Sequence, residues 1–525
     1  MRITIEDLQL KLINGVENGF QHTFFALFFV AFISSCGGAD NSSGLTQPVV
    51  LPTPTDPKIS QFSFQMSNNP SLSQDINLTI VGKNITGRTR AEVDVSQLIA
   101  SVVHDGSELN VSDVVQTSGV SINDFTDAVS YILKADDGAQ YTYTTDVTHF
   151  TGLPIIYLNT LGNAPIVSKE EYIDGTVSLH GGREFPSIAE REMEIRGRGN
   201  STWDHPKKPF QMKMADKDGL LNMPKDKKWL FLAEYSDKTM LRNTIAFELG
   251  YMSNLDWTPK SSFAEVYLNG RYNGTYNIAQ KVEADNERVA LGDTGYLLEI
   301  DQLDRLDDDD VYFYTNQFLI NIKEPDMDWD DEQRSYIKKY INEFETTLYS
   351  SRFADPIEGY AKYIDIDSFI DWYLISEITK NVDSRSFSSI FFTVIPGEKI
   401  KMGPLWDFDL SFGNVDYAES EYTSGFWVKF NPWFSRLFKD RAFIDKVKHR
   451  FAYFRSKQGL IIEKINFHAN SLKWSQQEND EKWQTLGIYV WPNPIVFDTY
   501  DEEVGQLKAW YSQRMDWLNG AFNHL

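Results

Sequence analysis

From Ile59 the chain alternates apolar and polar residues in short runs, ISQFSFQM, INLTIVG, AEVDV, SVVHD, ELNVSDV, AVSYILKA and QYTYTTDV. Turn formers such as Ser67-Asn68-Asn69-Pro70, Asp105-Gly106 and Asp136-Asp137-Gly138 separate them. A two-residue period broken this often predicts an all-β sandwich over 58–150, with Asp137-Gly138 as a hairpin turn between its last two strands. After Gly152-Leu153-Pro154, IIYLNT predicts another strand. In residues 192–214, EMEIRGRGNSTWDHPKKPFQMKM, alternation on both sides of Gly197 and Gly199 predicts a hairpin, with Phe210, Met212 and Met214 on one face of the return strand and Gln211 and Lys213 on the other. The pattern then changes period. Apolar residues at helical spacing from Met240 predict a helix capped by Gly250, followed by two strands around Leu268-Asn269-Gly270 and a further strand GYLLEID. This succession predicts a small α+β lobe. A helix over 366–379, a hairpin from SSIFFTV through Pro-Gly to KIKMG, and amphipathic helices in 429–457 and 504–525 predict a larger helical part.

Ahead of this body stand ten uncharged apolar residues, FFALFFVAFI (24–33), too few to cross a hydrocarbon core of about 30 Å but enough for the apolar stretch of an export signal. The run ends at Ile33-Ser34-Ser35-Cys36, which resembles the lipobox of bacterial lipoproteins. That resemblance implies a signal over 1–36, lipidation at Cys36, and a protein anchored to a bacterial membrane on its periplasmic or cell-surface face. Residues 37–57, rich in Gly, Ser and Pro, read as a flexible linker. The closing hairpin of the sandwich resembles that of immunoglobulin-like modules on surface lipoproteins, and without clustered chemistry the module reads as a spacer.

Composition narrows the function. With 50 Lys and Arg against 75 Asp and Glu, the net charge of −25 excludes a whole-molecule nucleic-acid binder. One cysteine excludes an internal disulfide and a thiolate zinc cage. Against this acidic background Arg196, Arg198, Lys207, Lys208 and Lys213 form a local basic cluster beside Gly197 and Gly199, the composition a phosphate cradle needs. Further on, Asp383 and Asp407 bracket the predicted hairpin, and Asp407 and Asp409 alternate so that both could hold Mg²⁺ through oxygen. Protein kinases place their catalytic and metal-binding aspartates in this order around a hairpin. The run Asp307 to Asp310 reads as a solvated acidic loop.

Five strings in order, RGRGNSTW, KKPFQMKM, LAEYSDKTMLRN, YLNGRYNGTYNIAQKVE and GPLWDFDLSFGN, resemble the CotH family, the spore-coat protein H proteins with an atypical protein-kinase fold. The likeness covers about 153–525, so 151–525 is taken as a CotH kinase-like domain. It implies an α+β, two-lobed kinase-like fold and transfer of the ATP γ-phosphate to Ser or Thr of a surface or secreted protein, with Mg²⁺ or Mn²⁺ as cofactor. By the same resemblance Lys213 holds the phosphates, Asp383 orients the acceptor hydroxyl or receives its proton, and Asp407 binds metal with Asp409 as a second ligand; beside these, the turn Arg196, Gly197, Arg198 and Gly199 completes the phosphate cradle, Glu248 on the predicted helix is taken as the partner of Lys213, and either Asn381 serves a second metal or one metal suffices. One position departs from ordinary kinases: five residues after the catalytic Asp, where they carry Asn, stands Ser388. The competing expectation is a non-catalytic surface adhesion protein on the same scaffold. The paired carboxylates of a glycan-cleaving enzyme are a third option for which the sequence singles out no pair.

Overall fold

A computed structural model describes residues 56–525; the expected signal, the Cys36 anchor and nearly all of the linker lie outside the described residues. The fold is mixed α/β. Residues 59–148 form two sheets packed face to face. One has strands in the order Ile76–Asn77, Ile59–Phe64, Leu98–His104, Ile122–Asn123; the other has Thr79–Val81, Asn84–Arg88, Gln140–Thr148, Val129–Lys134, Glu108–Val111, Val114–Val115. The inward residues of both, among them Phe62, Phe64, Tyr131 and Leu133, share one core, as the alternation requires. The Asp137-Gly138 hairpin is present, with Gly138 at φ +86° and Val129–Lys134 antiparallel to Gln140–Thr148.

Residues 155–280 close into a seven-stranded barrel. Its order is Ile155–Thr160, Ile173–His180, Ile188–Gly197, Phe210–Asp218, Asp226–Leu232, Arg271–Gln280 and Ser261–Leu268; parallel pairing of Ile155–Leu158 with Glu265–Leu268 shuts the ring. Met193, Ile195, Phe210, Met212 and Met214 point into the barrel core, so both strands of the 192–214 hairpin keep the expected parity. The expected small α+β lobe is corrected here. Helix α1 (Arg242–Tyr251), although it lies between barrel strands in sequence, buries Leu241, Ile245, Phe247 and Leu249 in the helical core instead. Nor does Gly250 cap it. The helix runs on to Tyr251, and a Cβ at 250 would lie 2.6 Å from Thr258 Oγ1 and 2.8 Å from Leu405 Cδ1, so glycine is there for close packing.

A five-stranded sheet (Val311–Tyr314, Leu319–Glu324, Tyr296–Asp301, Ile390–Val394, Lys401–Met402) shares the largest core with other helices. These are α2 (Glu332–Leu348), α3 (Ile366–Thr379), α4 (Pro432–Leu437), α5 (Arg441–Ser456), α6 (Gln458–Ser471) and α8 (Tyr500–Asn523), whereas α7 (Ser475–Trp483) lies against the barrel strand Arg271–Gln280, with Asn479 accepting from the Thr275 amide at 3.2 Å and Trp483 donating to the Asn273 carbonyl at 3.0 Å. At the centre Arg514 of α8 meets Glu377 of α3 at 2.7 Å with neither side chain exposed, and also donates to the carbonyls of Thr423 and Gly425. Side-chain contacts tie the sandwich to α7 and to the barrel. Arg88 pairs with Glu478 of α7, and Arg183 of the barrel reaches Asp146 at 2.7 Å and the carbonyls of Thr126 and Val147.

Candidate active site

A cavity of about 820 Å³ lies between barrel and helical part, within the roughly 300–1,000 Å³ usual for small-molecule sites. On its barrel side is the turn Arg196-Gly197-Arg198-Gly199; on the other stand Asp383, Asp407 and Asp409. The basic turn and the aspartates, nearly two hundred residues apart in sequence, thus share one space.

The turn is shaped by its own neighbours. Gly199 lies at φ +86°, and a Cβ there would meet Thr202 Oγ1 at 2.2 Å; a Cβ on Gly197 would strike the Trp203 ring at 2.3 Å. Arg196 is partly committed, donating to the Lys169 carbonyl at 2.6 Å and lying over the Tyr172 ring. Arg198 sits 5.6 Å from the centre of the Trp406 ring. Burial pulls its pKa down, while Asp407, Asp409 and Glu234 pull it up, so it is a desolvated cation facing carboxylates across the space.

The aspartates come from two tight segments. Helix α3 ends with Lys380 in the left-handed region, φ +49°, which turns the chain into the short 3₁₀ segment beginning at Asp383. Asp407 is also left-handed at φ +63°, a conformation that costs a non-glycine residue about 1–2 kcal/mol. Asp383 is 8% exposed, and among the described residues no donor meets its carboxylate. Burial, then Asp407, pushes its pKa up to about 7 against the pull of Arg305. Burial and the charges of Asp407, Glu234 and Asp383 push Asp409 well above the usual carboxylate range. Glu234, bonded at 3.2 Å to Asn243 and at 3.4 Å to Asn277, is pushed up to about 8 by burial and Asp237. Asp301 is raised to about 6, first by burial, and Glu299 to about 8 by burial and Asp301; both line the same cavity with Lys281 and Lys323.

Asp383, Asp407 and Asp409 line one wall of the cavity, and burial followed by the charge of Asp407 raises the pKa of the other two, an arrangement that fits a divalent cation. Among the described residues no group of three or more His, Cys, Asp or Glu could hold one unaided. The donor set suits an ion that takes one or two carboxylates and completes its shell with phosphate oxygens and water, as Mg²⁺ does.

Three expectations are corrected. Lys213 lies outside the cavity, its Nζ 3.1 Å from Glu194 on the neighbouring strand with 43% of the side chain exposed. It shares a strand face with Gln211, which does line the cavity, but two residues further along, about 7 Å. Glu248 does not pair with Lys213 either; it meets Lys464 at 3.2 Å and His468 at 3.1 Å. Asn381 is not among the cavity residues: its Nδ2 donates to the Asp407 carbonyl at 2.9 Å and its Oδ1 accepts from the Asp383 amide at 3.1 Å. Sequence reasoning missed Glu234, Asn243, Lys281, Glu299 and Asp301. For the last two a signal existed, since Glu299 and Asp301 end a strand whose other residues are all apolar.

A family model described as CotH kinase protein matches residues 195–518, more than half of the chain. The chain belongs to the CotH kinase protein family. The matched stretch contains Gly197, Arg198 and Gly199 of the basic turn and Glu234, Glu299, Asp301, Asp383, Asp407 and Asp409 of the cavity. No curated protein matches the sequence. A solved structure from Bacteroides thetaiotaomicron, described as a "putative glycoside hydrolase", is similar at 14% identity over 56% of this chain and 88% of its own. At a TM-score of 0.16 that likeness bears on neither fold nor chemistry.

Proposed function

We propose that this CotH family member is an ATP-dependent protein kinase that phosphorylates Ser or Thr hydroxyls, exported and lipid-anchored through Cys36, with barrel and helical part acting as the two lobes of a kinase-like fold. The observation that carries the reading is the shared cavity: a glycine-containing basic turn faces three aspartates that flank the hairpin of strands Ile390–Val394 and Lys401–Met402. In this reading Arg198 and the backbone amides of 197–199 bind the phosphates, Arg198 taking the place first given to Lys213. Asp407 and Asp409 hold Mg²⁺ or Mn²⁺, which supplies neutralisation of charge on the transferred phosphoryl group. Asp383 receives the acceptor proton; a pKa of about 7 suits a general base at neutral pH.

Nucleotide-dependent thermal stabilisation of the purified chain, with and without metal, tests this. At a hundredfold excess over Kd a true site adds about 2.7 kcal/mol. Asp407→Ala removes the metal-dependent part and Arg198→Met weakens both arms; labelled phosphate transfer from ATP follows the same order. Equal behaviour of wild type and Asp407→Ala refutes the reading.

A second reading, a surface binding protein that keeps the cavity without transfer, draws on the displacement of Lys213 from the site. It is distinguished by partner binding that survives both Arg198→Met and Asp407→Ala.

A further inference from the structure

The peptide unit between Asp407 and Phe408 is held at both ends. Its carbonyl oxygen, on Asp407, accepts from Asn381 Nδ2 at 2.9 Å; its N–H, on Phe408, donates to Asn243 Oδ1 at 2.7 Å. Each asparagine then uses its other end on an acidic residue of the cavity. Asn381 Oδ1 accepts from the backbone N–H of Asp383, and Asn243 Nδ2 lies 3.2 Å from both oxygens of Glu234. The result is an unbroken hydrogen-bonded line, Glu234 to Asn243 to the 407–408 peptide to Asn381 to Asp383, joining a residue that follows the last-but-two barrel strand to the segment that follows α3. Both asparagines are buried, at 5% and 2% exposure, so neither competes with water for these bonds.

We propose that Asn243 and Asn381 are positioning residues that together clamp this peptide and so hold Asp407 left-handed, with its side chain toward the cavity and at a fixed distance from Asp383. An amide side chain suits both places because it offers one donor and one acceptor, and each position here uses one of each. A carboxylate would fill only the acceptor role and a hydroxyl would be too short to span both partners. Neither asparagine needs to touch substrate. Their effect on chemistry runs through the carboxylate of Asp407, and this part of the inference rests on the kinase reading above; the clamp itself does not.

Two measurements on the purified full chain separate these parts. The first is backbone hydrogen exchange of the segment Leu405–Ser411, which needs no activity. Asn381 does not touch the Phe408 N–H, yet if the two asparagines form one clamp, Asn381→Leu, which removes the donor to the Asp407 carbonyl, speeds exchange in that segment while the strand Tyr296–Asp301 stays protected. Unchanged exchange in Leu405–Ser411 overturns the proposal. Asn381→Leu is close in size to the native residue and buries no new charge, which guards against a variant that fails to fold.

The second is the metal concentration that half-saturates the nucleotide-dependent thermal shift and phosphate transfer. Asn243→Ala and Asn381→Ala each raise it roughly threefold to tenfold, the worth of one neutral hydrogen bond, and the double variant is little worse than the poorer single one because both release the same peptide. A double variant that multiplies the two losses, or singles that lower kcat with the metal dependence untouched, overturns the positioning role. If the wild type shows neither shift nor transfer, the kinase reading fails, and the exchange measurement alone decides the clamp.

Discussion

Asp383 is ionised at a cost to the fold, and that cost is measurable. Its carboxyl titrates near 7 in the folded chain against an ordinary value of 3.8, chiefly because it is buried and secondly because Asp407 is near. Below pH 4 the group is protonated folded or unfolded and contributes nothing. Between pH 4 and 7 the unfolded chain releases the proton that the folded chain keeps, so the contribution turns against the folded state as pH rises. Above 7 both forms are ionised and the penalty levels off at about 4 kcal/mol. Asp383→Asn has the same shape and no charge, and so escapes the penalty. For the roughly 470 described residues unfolding as a unit, an unfolding entropy of about 2.1 cal/mol/K per residue makes about 1 kcal/mol equal to one degree. The expected outcome is a variant that melts about 4 °C above wild type at pH 8 in metal-free buffer and level with it at pH 4. Scanning calorimetry of both proteins at the two values checks it. An Asp383→Asn protein that melts no higher than wild type at pH 8, or gains the same at both pH values, refutes the argument that burial without a donor holds this carboxyl up. A gain in stability from removing a proposed catalytic base would also mark Asp383 as kept for chemistry rather than for folding.

Two further outcomes follow from the packing. Arg514→Met leaves the Glu377 carboxylate buried with only the amides of Trp427 and Lys429 as partners, and is expected to cost about 3–5 kcal/mol, read as a melting point lower by about 3–5 °C; a change under one degree would show that water reaches the pair. Lys213→Ala removes an exposed cross-strand ion pair worth about 0–1 kcal/mol, so melting and the nucleotide-induced shift stay as in wild type. Loss of nucleotide binding in that variant would place the phosphates further along the barrel face than the cavity allows.

Where local chemistry decides an element, the sequence was enough. Helix α3 begins behind Asp365, whose side chain accepts the Ser368 amide, and its apolar composition carries it to Thr379, so both ends were readable. Parity along Phe210–Asp218 was readable for the same reason. What failed was distance along a face: alternation puts Gln211 and Lys213 on the same side of the strand but does not say which of them reaches the cavity. Gly250 failed differently. A glycine at a helix end reads as a cap, whereas here the missing side chain admits Thr258, from the loop beyond the helix, and Leu405, too far along the chain to leave a local trace. Arg198 and the three aspartates were legible because basic residues in an acidic chain and an Asp-x-Asp pair are unusual compositions. Glu234 and Asn243 were not, since their meaning comes from the 407–408 peptide, some 165 residues on from Asn243.

The closure of the barrel bears on how this protein can be cut. The family match begins at residue 195, inside the strand Ile188–Gly197, and leaves out Ile155–Thr160 and Ile173–His180. A fragment trimmed to the match would open the ring, baring the far edge of Ser261–Leu268 where Ile155–Leu158 paired, and would strip the apolar side chains of two strands from the barrel interior. Such an edge is a template for pairing with other chains. The boundary of shared ancestry therefore falls inside a folding unit, and the shortest soluble piece expected to keep the cavity starts no later than Gly152, with Thr151 included if Glu265 is to keep the hydroxyl that donates to it at 2.7 Å.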